Sequence, residues 1–313
     1  MASGRMHRTG DIHFITNRCE EGRYFLLPTE IINALVLYWL ARALHKFGQG
    51  IEIYAFCFLS NHFHLLCRDT KGTLAAFMGY FQGNLARAIN CELGREPAHF
   101  WQGHYDDQVI EGEKSFWNKY VYTVTNAVKS GLVRRVEEWA GCNSFEAAVS
   151  GDTIIGIGLN KTSYHNGNRG NTKREKSMFM ESFEFELSPP PMLEEWSPKE
   201  RQREIYRMVK HSEVHYLSRR DRKPVLGMAK VMTFNPTNKP GSLERRPHRR
   251  FVCDRVEEEI ELMEEYRYFI YEYKVTYDGF RRSSQLGKRF HGEWPSGSYP
   301  PSCHYPVWES QAA

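Results

Sequence analysis

The chain has 313 residues, of which 41% are hydrophobic, 14% aromatic and 26% charged, with a formal net charge of +4. At about 150 residues per domain this is one large or two modest domains, and the balanced charge excludes wholesale disorder. The longest apolar run, 31–44, is broken by Asn33 and Arg42, well short of the roughly 20 apolar residues of a membrane span.

The first residues contain no apolar signal core. Seven cysteines, an odd number with no C-x-x-C pair, fit neither a disulfide framework nor a zinc ribbon. The expectation is a soluble cytoplasmic protein that does not associate with membranes. Residues 1–150 carry 15 basic and 15 acidic side chains, and the remainder 27 against 23. The basic surplus therefore lies in the second half, where it can meet a polyanion.

In chain order, β-branched and aromatic residues at 12–19 predict a strand, and Pro28-Thr29-Glu30 opens an apolar helix that ends near Gly48. Strands at 51–59 and 62–68 are separated only by Ser60-Asn61, a tight hairpin. Apolar residues recurring every three or four positions predict a second helix over 74–93. A fourth strand at 104–111 and a third helix over 114–129, stopped by Gly131, complete the front part.

The order β-α-β-β-α-β followed by a helix predicts an α+β fold: a ferredoxin-like split βαβ antiparallel sheet with one added tyrosine-bearing helix. Residues 1–150 read as one domain. Residues 151–197, polar and Gly/Asn-rich before Pro189-Pro190-Pro191, read as a linker. Residues 198–313 read as a mainly helical and irregular C-terminal extension, with helices over 198–217 and 254–277 and basic clusters at 219–223 and 245–250.

His62 and His64 are two apart on a predicted strand, so both imidazoles project from one face, as two ligands of one metal would. Alone, H-x-H is a weak signal that more often marks ordinary packing or surface histidines. Tyr122 and Asn126 are four apart and share a face of the third helix. That face can look onto the histidines, or Tyr120 and Tyr122 can be packing residues with Asn126 preparing the helix end.

The blocks Leu59-Ser60-Asn61-His62-Phe63-His64-Leu65, Phe100-Trp101-Gln102 and Tyr122-Thr123-Val124-Thr125-Asn126-Ala127-Val128-Lys129-Ser130-Gly131-Leu132-Val133 together resemble the single-tyrosine HUH transposases of the IS200-like superfamily. The resemblance is especially to the REP-associated tyrosine transposase branch, over about residues 10–150. That branch usually has Asn-Pro where this chain has Asn126-Ala127.

The resemblance implies His62, His64 and Asn126 as ligands of a divalent ion, Mg²⁺ or Mn²⁺, and Tyr122 as nucleophile. It implies a DNA transposase: a single-stranded DNA endonuclease and strand transferase that passes through a 5′-phosphotyrosine. The implied partner is single-stranded DNA with a hairpin or palindromic repeat, handled by a monomer or homodimer. The alternatives are a catalytically inactive nucleic-acid-binding relative and a metal-dependent phosphodiester hydrolase.

Other signals are weaker. Arg87 and Arg95 near the second helix, Arg219 and Arg220, and Arg245, Arg246, Arg249 and Arg250 are candidate DNA contacts. The run Gly156 to Thr162 glances at a phosphate loop, but Asn160 replaces the glycine before lysine. His211 and His215 with Glu213 do not match a zinc-protease helix. Asp106 and Asp107 are adjacent on a strand and face opposite ways.

Overall fold

The structure, a computed structural model, describes residues 6–96, 98–169, 173–220, 224–241 and 249–301. Strand β1 (Ile12–Arg18) leads into helix α1 (Glu30–Phe47), β2 (Ile51–Phe58), β3 (His62–Asp69), α2 (Leu74–Glu92) and β4 (Asp106–Glu111). The element types and bounds follow the sequence patterns closely. Thr29 caps α1 by accepting from the Ile32 N–H at 3.2 Å. The Asp69 carboxylate accepts from Thr73 N at 2.8 Å and Leu74 N at 3.0 Å, closing the start of α2.

The strands pair in the order β2-β3-β1-β4, all antiparallel, and a fifth strand, β7 (Phe251–Cys253), adds to the far edge parallel to β4. The sheet is therefore mixed, and it recruits a strand from the second half of the chain. The period of two sorts its residues onto two faces. Ile15, Phe63, Leu65 and Cys67 pack under α1 and α2, whereas Phe14, Leu66 and Ile110 face the other way.

The second face is covered by α3 (Glu113–Val124) and α4 (Asn126–Lys129), through Phe116, Tyr120, Val124 and Val128. A single helix over 114–129 is the expectation from sequence; the structure breaks it at Thr125 (φ −94°, ψ 8°). The reason is local: the buried Thr125 hydroxyl donates to the Val121 carbonyl at 2.5 Å, the back-bonding that bends helices. Tyr122 and Asn126 thus flank a bend.

Residues 151–197, expected as a linker, hold ordered elements. After α5 (Phe145–Ser150) come β5 (Ile154–Leu159), α6 (Lys161–Gly167) and β6 (Met180–Phe185), and β5 and β6 form an antiparallel pair laid against α1. The glycines that suggested a phosphate loop serve this packing. A Cβ on Gly156 would stand 2.4 Å from the Leu37 carbonyl oxygen, and one on Gly158 2.4 Å from the Tyr38 ring.

Helix α7 (Pro198–Ser218) opens with a Ser197/Glu200 capping box and runs across α3, α4 and α5. Short α8 (Met228–Val231) precedes β7, and α9 (Val256–Gln285) lays Phe269 and Tyr273 over Val109 and Phe251. Among the described residues no helix is long and apolar enough to cross a membrane. Arg245 and Arg246 lie outside the described residues.

Candidate functional site

The β1–β3 register sets Thr16 opposite His64 and Arg18 opposite His62, so both imidazoles emerge on the face covered by α3. Their ring centroids are 5.0 Å apart and nearly perpendicular, at 82°. His62 Nδ1 lies 2.7 Å from the Asn61 carboxamide oxygen, whose own NH₂ donates to the Gly22 carbonyl. That oxygen can only accept, so Nδ1 carries the proton and Nε2 keeps its lone pair. His64 Nδ1 is 2.8 Å from the Thr16 hydroxyl. His64 Nε2 is buried and has no hydrogen-bond partner among the described residues.

Both rings are held neutral. Burial, with the Arg18 guanidinium nearby, brings His62 down to about 3, opposed by a hydrogen bond with the Asn126 side chain. Burial chiefly, then His62, Lys119, Lys129 and Arg18, hold His64 well below the usual histidine range. For His64, a neutral imidazole with Nδ1 engaged by Thr16 and a bare Nε2 is the form in which histidine binds metals.

Tyr122 comes down from α3 onto this pair. Its ring lies 5.1 Å from the His64 ring at 72°, and 5.8 Å from Phe14 at 78°. Phe14 in turn stacks on His64 at 5.1 Å and 16°. These edge and offset geometries are the favoured ones for aromatic rings. Tyr122 is half-buried, unlike Tyr120, which is only 1% exposed and belongs to the core. Asn126, one turn on, is 3% exposed, accepts from the Ser130 hydroxyl at 3.3 Å, and raises His62 against the effect of burial. The structure therefore brings His62, His64, Tyr122 and Asn126 into one cluster.

Several cluster members carry no motif. Lys129 Nζ stands 4.1 Å from the Tyr122 ring centroid, and Lys119 Nζ 4.4 Å from that of Phe14 while donating to Gln108 at 2.6 Å. Burial, with Lys129 near, draws Lys119 down to about 8. Thr16 and Phe14 are recognisable only once the β1–β3 register is known. Asn61 and Lys129 do fall within the sequence blocks around the histidines and Asn126.

For a divalent ion the donor set is two neutral imidazoles and one amide oxygen. The bare, buried Nε2 of His64 fits such an ion, because an unpaired buried nitrogen is otherwise costly. Among the described residues there is no group of three or more His, Cys, Asp or Glu side chains that could hold a metal.

The other expected residues lie apart from this cluster or beside it. Arg87 is exposed on α2, across the sheet, and donates to Asn84. Arg95 lies 3.8 Å over the Phe25 ring and donates to Asn90 at 2.7 Å. Arg219 is exposed at the end of α7, and Arg220 packs against Gly131, just after α4. Arg249 is exposed beside Glu259, at 3.6 Å, whereas Arg250 lies 4.3 Å over the Tyr266 ring.

Asp106 is exposed opposite Thr16, while Asp107 turns inward to His13 at 2.8 Å. The buried Glu213 accepts from Val136 N at 2.7 Å and is bound by Lys210, a packing role rather than a zinc-protease one.

No family model and no curated protein matches the chain. Among solved structures it is similar to a REP-associated tyrosine transposase bound to a REP hairpin. The identity is 19% and the TM-score 0.40, over 48% of this chain and 86% of that one.

Proposed function

We propose that this chain is a metal-dependent strand transferase for single-stranded DNA, with Tyr122 as nucleophile. The observation that carries the reading is the contact of the Tyr122 ring with His64, whose buried Nε2 has no hydrogen-bond partner among the described residues. The strand order β2-β3-β1-β4, with α1 and α2 on one face, supports a ferredoxin-like arrangement of the module over residues 1–150.

In the reaction, Tyr122 Oη attacks a backbone phosphorus. The new O–P bond forms as the P–O3′ bond breaks, the phenol proton passes to solvent, and the departing 3′ oxygen takes up a proton from water. The product is a 5′-phosphotyrosine and a free 3′-OH. Bond energy is retained in the adduct, so another strand's 3′-OH can reverse the step and join DNA without ATP.

His62, His64 and Asn126 would hold Mn²⁺ or Mg²⁺. Such an ion, when bound, supplies Lewis-acid stabilisation of charge on a phosphate oxygen. Thr16 and Asn61 fix the orientation of the two imidazoles. Lys129 places positive charge against the attacking ring.

The substrate class is single-stranded DNA with a hairpin or palindromic repeat, acted on by a monomer or homodimer. The exposed Arg87, Arg219 and Arg249, with Arg220, are the side chains among the described arginines to test as phosphate contacts.

The test is incubation with labelled hairpin DNA and Mn²⁺ or Mg²⁺, followed by denaturing electrophoresis. The expected result is a protein–DNA band that resists denaturant. Cleavage without a band would indicate hydrolysis, and binding without cleavage an inactive nucleic-acid-binding relative.

A further inference from the structure

The helix that carries Tyr122 is held at both ends by residues from beyond position 198. At its start, Gly112 (φ +94°) turns the chain, and the carboxylate of Asp254 accepts from Lys114 N at 2.9 Å and Ser115 N at 2.6 Å. Asp254 directly follows β7, and its own N–H donates to the Glu111 carbonyl at 3.2 Å. A carboxylate there suits the positive end of the helix dipole.

At the other end, α7 crosses the bend at Thr125. The Tyr216 side chain packs against the core cluster that holds Val121 and Val124 before the bend and Ala127 and Val128 after it. The Tyr216 ring is also 5.9 Å from Lys129 Nζ, which stands 4.1 Å from the Tyr122 ring. Just beyond, Leu226 N and Gly227 N donate to the Gly131 and Leu132 carbonyls at 2.9 and 2.8 Å. Thr125 lies three residues after the proposed nucleophile and directly before the proposed ligand Asn126, so whatever fixes the bend there fixes both.

We propose that Tyr216, a residue of the C-terminal half, is a positioning residue for Tyr122 and Asn126, acting through the packing around the bend that they flank and through Lys129. The proposal rests on the strand-transfer reading for what is positioned, but not for the clamp itself. Tyr216 is only half-buried, so its removal costs little core. The site is sensitive nonetheless, because a misplacement of about 1 Å can cost a hundredfold in rate.

The experiment compares full-length wild type, Tyr216→Phe, Tyr216→Ala and, as a control on the same helix, Tyr206→Ala, whose ring is 50% exposed. Three quantities are measured: adduct formation in a single turnover at saturating hairpin DNA, hairpin affinity, and hydrogen exchange of the amides from Thr125 to Lys129.

Tyr216→Ala is expected to slow adduct formation about tenfold with hairpin affinity unchanged, and to speed exchange at those amides. Tyr216→Phe, which keeps the ring, should fall between, and Tyr206→Ala should match wild type. A wild-type rate and wild-type exchange in Tyr216→Ala would overturn the proposal, as would equal slowing by Tyr206→Ala.

Should Tyr216→Ala not fold, Tyr216→Phe decides by the same two criteria. Should wild type form no adduct at all, the functional reading fails. Exchange then judges the clamp alone: faster in the variant supports it, unchanged overturns it.

Discussion

Tyr122 and His64, on a helix and a strand of different parts of the front module, hold their rings 5.1 Å apart at 72°. His64 Nε2 is buried beside this contact with no hydrogen-bond partner among the described residues, which makes metal binding a stability measurement. Anything that binds only the folded chain stabilises it, by about 2.7 kcal/mol at a hundred times its Kd. Mn²⁺ should therefore raise wild-type stability in urea unfolding, and His64→Ala should abolish the increment. An equal increment in both proteins would remove His64 from the metal site.

The His13–Asp107 pair gives a pH prediction. The two side chains meet at 2.8 Å with 0% and 2% exposure. Burial alone would raise Asp107, but the adjacent His13, with His7 and Arg250, holds it below its ordinary 3.8. Burial alone would lower His13, but Asp107, with Asp11 and Asp69, holds it above its ordinary 6.5.

The Asp107 contribution is present above the ordinary carboxylate value and is lost as pH falls through the depressed one. The His13 contribution is present below 6.5 and is lost as pH rises through the raised value. Asp107→Ala should thus cost about 3–5 kcal/mol near pH 5. The difference from wild type should shrink on both sides of that window. A cost independent of pH would show that the pair is not ionised in the fold.

Gly156→Ala tests the packing of β5 on α1. The added methyl would stand 2.4 Å from a backbone oxygen of α1, which cannot swing away as a side chain can. Overpacking of this kind costs about 1–3 kcal/mol. Urea unfolding should show that loss, with adduct formation unchanged at temperatures where the variant is folded. A neutral substitution would mean that the hairpin sits more loosely on α1.

Asp69→Ala should lower stability by about 1–2 kcal/mol, since its carboxylate caps the start of α2 through Thr73 and Leu74. Asp69→Asn, which keeps one acceptor, should recover most of that. If both variants match wild type in urea, water replaces the cap without loss.

Local periodicity was enough to place His62, His64, Tyr122 and Asn126 on a strand face and a helix face, because spacings of two and four translate directly into shared faces. It does not reveal Thr16, Phe14, Tyr216 or Asp254. These reach the site or its helix through strand register and through contacts between segments far apart in the chain. The bend at Thr125 was hidden because the helix propensity of a single threonine costs too little to mark a break, and only its buried hydroxyl turned back to Val121 shows its role.

Residues 151–197 looked like a linker because the glycines of β5 weaken its strand signal. β6 in turn, Met-Glu-Ser-Phe-Glu-Phe, mixes polar and apolar residues on both faces of a partly exposed ribbon. Two short strands of this kind are stable only against α1.

The most direct measurement is to map the site of attachment after reaction with hairpin DNA and Mn²⁺, by protease digestion and mass spectrometry of the DNA-linked peptide. Tyr120 and Tyr122 fall in the same stretch between Lys119 and Lys129, so fragmentation must separate a core tyrosine from the one beside His64. A phosphodiester is expected on Tyr122, absent in Tyr122→Phe and in His64→Ala. Attachment at Tyr120 or elsewhere, or an adduct that persists in Tyr122→Phe, would contradict it.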